Sequence, residues 1–103
     1  MKNKFGLLDT DIEIVNYILS QQPKVQLAYI FGSRAKGNFK NGSDVDIALK
    51  GTKLDFDTLD KISFWLNEET ALPYKFDVLD YDSIQEPSLK EHIDRVGIEF
   101  YRK

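Results

Sequence analysis

Two runs with the character of β-strands, Val25 to Phe31 and Asp44 to Leu49, are parted by a stretch that holds Gly32, Gly37 and Gly42 together with Asn38 and Asn41. So many breakers admit no long regular element, so the chain must turn tightly after the first strand, loop, and re-enter as a second strand. The first run is rich in β-branched and aromatic residues and ends at Gly32-Ser33, after which Ser33 to Lys36 leaves space for one short helical turn. The second run alternates: Asp44, Asp46 and Ala48 fall on one face, Val45, Ile47 and Leu49 on the other. Two carboxylates therefore leave the strand on the same side, with an apolar face behind them.

The remaining segments supply cover for a sheet. Asp9 or Thr10 caps a helix whose apolar positions Ile12, Val15, Ile18 and Leu19 recur at helical spacing, and Pro23 stops it. Asp55 or Asp57 begins a second helix running to about Thr70, with Leu59, Ile62, Trp65 and Leu66 as its inward stripe, closed by Pro73. Lys75 to Leu79 reads as a third strand in which Phe76 and Val78 share one face and Asp77 points the other way, with Asp80 opposite Asp77. Beyond Pro87 a helix from about Ser88 to Val96 ends at Gly97, a suitable left-handed cap, and Ile98 to Tyr101 adds a short edge strand. The order predicts an α/β (α+β) fold: one domain, 1–103, with a small mixed sheet and helices packed mainly on one face.

Composition narrows the chemistry. With no cysteine and a single histidine, His92, the chain can build neither a thiolate site nor a histidine cluster, so any metal must be held mainly by carboxylates. The formal charge of -3 and the pI near 5.1 give no general attraction to nucleic acid or to an anionic membrane, so no direct nucleic-acid binding is expected. No apolar run approaches the ~20 residues that span a bilayer, and Met1 to Phe5 lacks the apolar stretch of a signal peptide. A cytoplasmic location is the expectation.

Asp44 and Asp46 can grip one cation or a pair without bending the backbone. Magnesium takes oxygen ligands and completes its octahedron with water and substrate phosphate, so two or three carboxylates suffice when a triphosphate is present. Gly32 leaves room for a phosphate to approach the backbone, and the Ser33 hydroxyl with the following amides can donate to it. Arg34 and Lys36 add local positive charge to an acidic chain, either on phosphate or in solvent.

Gly32, Ser33, Asp44 and Asp46 match the Gly-Ser-x10-Asp-x-Asp signature of the DNA polymerase beta-like nucleotidyltransferases, which this segment resembles without adjustment of spacing. A chance match in a chain of this composition is on the order of a few in a thousand. The fuller pattern, Gly-Ser-Arg-Ala-x-Gly followed by Ser-Asp-x-Asp, is similar to that of the minimal nucleotidyltransferases commonly encoded beside a HEPN-domain protein. The resemblance implies the polymerase beta-like fold, two magnesium ions on Asp44, Asp46 and Asp77, and ATP held at Gly32, Ser33, Arg34 and Ser43. It further implies an antitoxin that transfers AMP from ATP to a tyrosine of a HEPN ribonuclease toxin, with pyrophosphate leaving and a hetero-oligomer formed with that toxin. Independently, 103 residues leave no space for a second domain to hold an acceptor, which favours an acceptor presented by a protein.

Blander readings stand beside these. An arbitrary Asp-x-Asp is usually a turn former, and only the upstream Gly-Ser pair overturns that for Asp44 and Asp46. Asp77 alone reads as a solvated strand residue, raised to a candidate ligand by strand order. Asp80 and Asp82 read as surface residues, His92 as a solvent-facing helix residue among charges, and Trp65 as core. Tyr74, Tyr81, Phe100 and Tyr101 can supply an interface or pack inward. The rival to an enzyme is a catalytically silent module that neutralises its toxin by occlusion, and a free-standing small-molecule transferase is a third class.

Overall fold

The computed structural model describes residues 5–40 and 42–103. The N-terminal reading of Met1 to Lys4 and the place of Asn41 in the loop fall outside the described residues. Helix α1 spans Asp9–Ser20 and strand β1 Val25–Phe31; the short helix α2, Gly32–Lys36, follows directly. Strand β2 is Val45–Gly51, α3 is Phe56–Glu68, and β3 is Phe76–Asp80. A single 3-10 turn, Tyr81–Ser83, leads to α4, Pro87–Val96, and to β4, Ile98–Arg102.

The four strands form one mixed sheet in the order β3-β2-β1-β4, with β2 and β3 parallel and the other pairs antiparallel. Alternation along β2 divides the molecule. Val45, Ile47 and Leu49 enter the main core with Val15, Ile18 and Leu19 of α1 and Ile62 and Leu66 of α3. Ala48, facing the other way, joins Phe31 and Ile93 in a smaller cluster beneath α4. The two long helices thus share one face, and the shorter α4 lies on the other.

Local chemistry sets the element ends. Neither Asp9 nor Thr10 caps α1: both lie inside it, and the Leu8 N–H donates instead to the buried Asp11 carboxylate at 2.9 Å. Of the two candidates for α3, Asp55 is the cap, accepting from the Thr58 N–H at 2.8 Å and from Lys24 Nζ at 2.8 Å. Those bonds, that from Lys24 foremost, hold the Asp55 carboxyl below the ordinary carboxylate range. Gly97 is not a left-handed cap, since its φ of -62° is one any residue adopts. Glycine is required there because an added Cβ would stand 2.5 Å from the Ile93 carbonyl oxygen. No helix among the described residues is long and apolar enough to cross a membrane.

Candidate active site

Asp46 sits in the middle of β2, paired with Phe31 of β1 on one side and with Asp77 of β3 on the other. Residues paired across a sheet share a face, so Phe31, Asp46 and Asp77 form a row across three strands. Asp44 precedes β2 by one residue, just outside the strand expected to begin with it, and is exposed on the approach to the same row. Burial first, then the charges of Asp77 and Asp44, pushes the Asp46 carboxyl above its ordinary value. Three like charges gathered in this way are a charge arrangement that a cation relieves.

The sequence elsewhere fixes this row in place. Asn67 on α3 uses its side-chain amide as a strand would: its Nδ2 donates to the Phe76 carbonyl at 3.0 Å, and its Oδ1 accepts from the Phe76 N–H at 2.8 Å. The start of β3 is thereby tied to α3, one residue before Asp77. Across β2, the Val45 N–H donates to the Lys75 carbonyl at 2.8 Å, one residue before Asp46. Sequence reasoning passed over Asn67, because a polar residue near a helix end reads as solvated.

Gly32, at the start of α2, has φ of +73°, and a Cβ there would collide with the Asp46 carboxylate. The space its missing side chain leaves is therefore taken by Asp46, where the sequence suggested a phosphate. Its N–H is also engaged: it donates to His92 Nε2 at 3.2 Å, and the His92 ring meets Phe31 edge-on at 6.1 Å. His92 is thus half-buried against the site, contrary to the expectation that it faces solvent. The signal was present, since position 92 lies three residues after Leu89 and four before Val96, beside the inward stripe of α4.

Ser33 lies half-buried at the first turn of α2, and its hydroxyl has no hydrogen-bond partner among the described residues. Lys36 is exposed. Arg34 does not reach toward the carboxylate row. It is 2% exposed, with its guanidinium donating to the carbonyls of Ser43 and Phe5 and stacked between the rings of Phe39 and Tyr74. Ser43 likewise serves the loop, its hydroxyl accepting from the Lys40 N–H at 2.9 Å. Arg34 and Ser43, both expected at the nucleotide, thus engage the backbone with their side-chain polar groups.

Asp80 is buried, where a surface position was expected, because its carboxylate accepts from the Asp82 N–H and the Ser83 hydroxyl and so caps the 3-10 turn. Asp82 is exposed as expected. Trp65 packs against the main core from the face opposite the carboxylates, edge-on to Tyr17 at 6.3 Å. The suggested interface aromatics are at least half withdrawn: Tyr74 donates to Asp11, Tyr81 donates to Asp94, and Phe100 and Tyr101 pack on the main core. The aromatics that do stand out are Tyr17, Phe56 and Phe64.

The donor set fits a hard divalent cation such as magnesium, being carboxylate oxygens alone. Among the described residues no three acidic or histidine side chains close into a cage by themselves, which suits an ion whose shell is completed by water and phosphate oxygens.

The chain is 42% identical over 53 residues to the protein adenylyltransferase MntA of Shewanella oneidensis, a match covering 52% of this chain and 35% of that protein. It is 33% identical over 94 residues to the probable protein adenylyltransferase MntA of Haemophilus influenzae, covering 90% of this chain and 81% of that one. Its fold superposes with a TM-score of 0.73 and 28% identity on a chain in the crystal structure of a toxin–antitoxin with AMP-PNP, over 93% of this chain and 75% of that one. The family model for polymerase beta nucleotidyltransferases matches residues 13–103, and the chain belongs to that family.

Proposed function

We propose that this chain is a magnesium-dependent adenylyltransferase that moves AMP from ATP to a tyrosine hydroxyl on a HEPN-domain toxin, and so acts as that toxin's antitoxin. The observation that carries the reading is the row of Asp46 and Asp77 on neighbouring strands, with Asp44 at its approach and the Gly32-Ser33 turn beside it. The similarity to two MntA proteins, and to a toxin–antitoxin chain crystallised with AMP-PNP, supports both the nucleotide and the partner.

In this reading Asp44 and Asp46 hold the metal–nucleotide, and Asp77 completes the set and accepts the proton of the attacking hydroxyl. Ser33 donates to a phosphate oxygen of the triphosphate. Bound magnesium supplies charge neutralisation on the triphosphate and aligns the acceptor. The acceptor oxygen bonds to the α-phosphorus as the bond to the β-phosphate oxygen breaks, and pyrophosphate departs. Localisation in the cytoplasm and a hetero-oligomer with the toxin accompany this proposal.

The test is the intact mass of the HEPN protein after incubation with this chain, magnesium and ATP. A gain of one or more AMP masses with the native chain, and none with Asp44→Ala, Asp46→Ala, is the expected result. Silencing of the toxin by a stable complex that adds no mass would instead identify a binding module.

A further inference from the structure

We propose that Arg34 is a positioning residue for the metal–nucleotide site, its guanidinium holding the Ser43–Asp44 peptide so that the Asp44 carboxylate is presented beside Asp46. The inference rests on reading Asp44 as a metal ligand.

Asp44 lies outside β2 and is exposed, and no hydrogen bond reaches its carboxylate from any described residue. Its placement must come through its neighbour. Residue 43 has all its polar atoms engaged: the N–H donates to the Lys40 carbonyl at 3.0 Å and the hydroxyl accepts from the Lys40 N–H at 2.9 Å. Its carbonyl accepts from Arg34 Nε at 3.2 Å and from Nη2 at 2.9 Å. That carbonyl belongs to the peptide whose nitrogen is Asp44's, so a forked bond to it fixes the plane from which Asp44 departs.

The cost of the arrangement argues for a purpose. A cation 2% exposed loses nearly all its hydration, and among the described residues no carboxylate forms an ion pair with Arg34. Carbonyl acceptors and two ring faces take the place of water: Nη1 donates to the Phe5 carbonyl at 2.8 Å, and the guanidinium carbon stands 5.0 Å from the Phe39 ring centre and 5.2 Å from that of Tyr74. An apolar side chain would fill this volume without the desolvation. Only arginine offers a planar fork that grips one carbonyl with two N–H groups while a third reaches another segment; lysine's ammonium offers a single point.

The experiment is calorimetric titration of manganese with AMP-PNP into the native chain, Arg34→Met and Arg34→Lys, with circular dichroism to establish folding. Outer-shell groups that orient metal ligands typically contribute about 10- to 100-fold in affinity, and both variants are expected to lose that much while folded. If the folded Arg34→Met chain binds within about twofold of native, the inference is overturned, because a stabilising role alone leaves the folded site's affinity unchanged. If Arg34→Met does not fold, Phe39→Leu decides: it frees one face of the guanidinium and is expected to weaken binding by roughly threefold, and native affinity overturns the inference. Failure of the adenylyltransfer reading is distinct, since it shows as absent AMP transfer by a native chain whose metal–nucleotide binding still depends on Arg34.

Discussion

Asp46 bears the tension of the site. Its carboxyl is raised above the ordinary value of 3.8, by burial and then by Asp77 and Asp44, so the folded chain binds that proton more tightly than the unfolded chain does. This carboxyl therefore favours folding most below its ordinary value, and its contribution is lost as pH rises through the higher folded value. At neutral pH the charge is a burden that Asp46→Asn removes. In metal-free buffer the variant is expected to melt above the native chain at pH 7, with the gap closing as pH falls toward 4. A variant no more stable than native at pH 7 would mean that the carboxylate makes compensating interactions as a charge. Added magnesium with nucleotide is expected to raise the native midpoint and leave that of the variant in place, because only a ligand bound by the folded state stabilises it. Strand alternation is a local rule, and it made the face that Asp46 shares with Ala48 legible, while Asp44 lies one residue before the strand expected to begin with it. Arg34 engages the carbonyls of Phe5 and Ser43, 29 and 9 positions away, partners that no local pattern announces, whereas the inward place of His92 was readable in its spacing from Leu89 and Val96.

Among the elements, β3 depends on a neighbour that is not a strand. The Asn67 amide completes the bonding of Phe76 at the free edge of the sheet, so truncating it leaves a backbone N–H and carbonyl without partners one residue before Asp77. Asn67→Ala is expected to cost about 1–3 kcal/mol, the penalty for stranding partly buried polar groups, read as a lower denaturant midpoint at unchanged slope. A cost near zero would show water replacing the amide fully, and β3 would not need α3 to hold its start. The strands and helices were legible, the 3-10 turn after β3 was not: β1 occupies the residues expected, and α3 begins at the cap Asp55 offers. Ends were less so. The expected β3 began at Lys75 and the observed strand runs Phe76–Asp80, its pairing with β2 beginning at Val45 and Phe76. Gly97 was read as a left-handed cap since glycine usually earns its place by φ, whereas here the crowding is with a carbonyl four residues back.

Across the whole molecule the sheet separates two tasks. One face, with α1 and α3, holds the large cluster that includes Leu66, Ile62, Ile47 and Leu19; the other carries the carboxylate row and only the small cluster under α4. A small folded protein has a stability of roughly 5–15 kcal/mol, so it tolerates a charged, self-repelling face only if the opposite face is well packed. Leu66 is 1% exposed in that packed layer, and Leu66→Ala is expected to cost about 2–5 kcal/mol through lost burial and the cavity left behind. Because Leu66 and Asp46 lie on opposite faces of the sheet, the double variant Leu66→Ala, Asp46→Asn is expected to combine their separate effects within ~0.5 kcal/mol. Denaturant unfolding of the four chains closes the cycle. A coupling well beyond that value would show that packing under α3 shapes the carboxylate row through β2 itself, and the two faces would then be one cooperative structure with no division of labour.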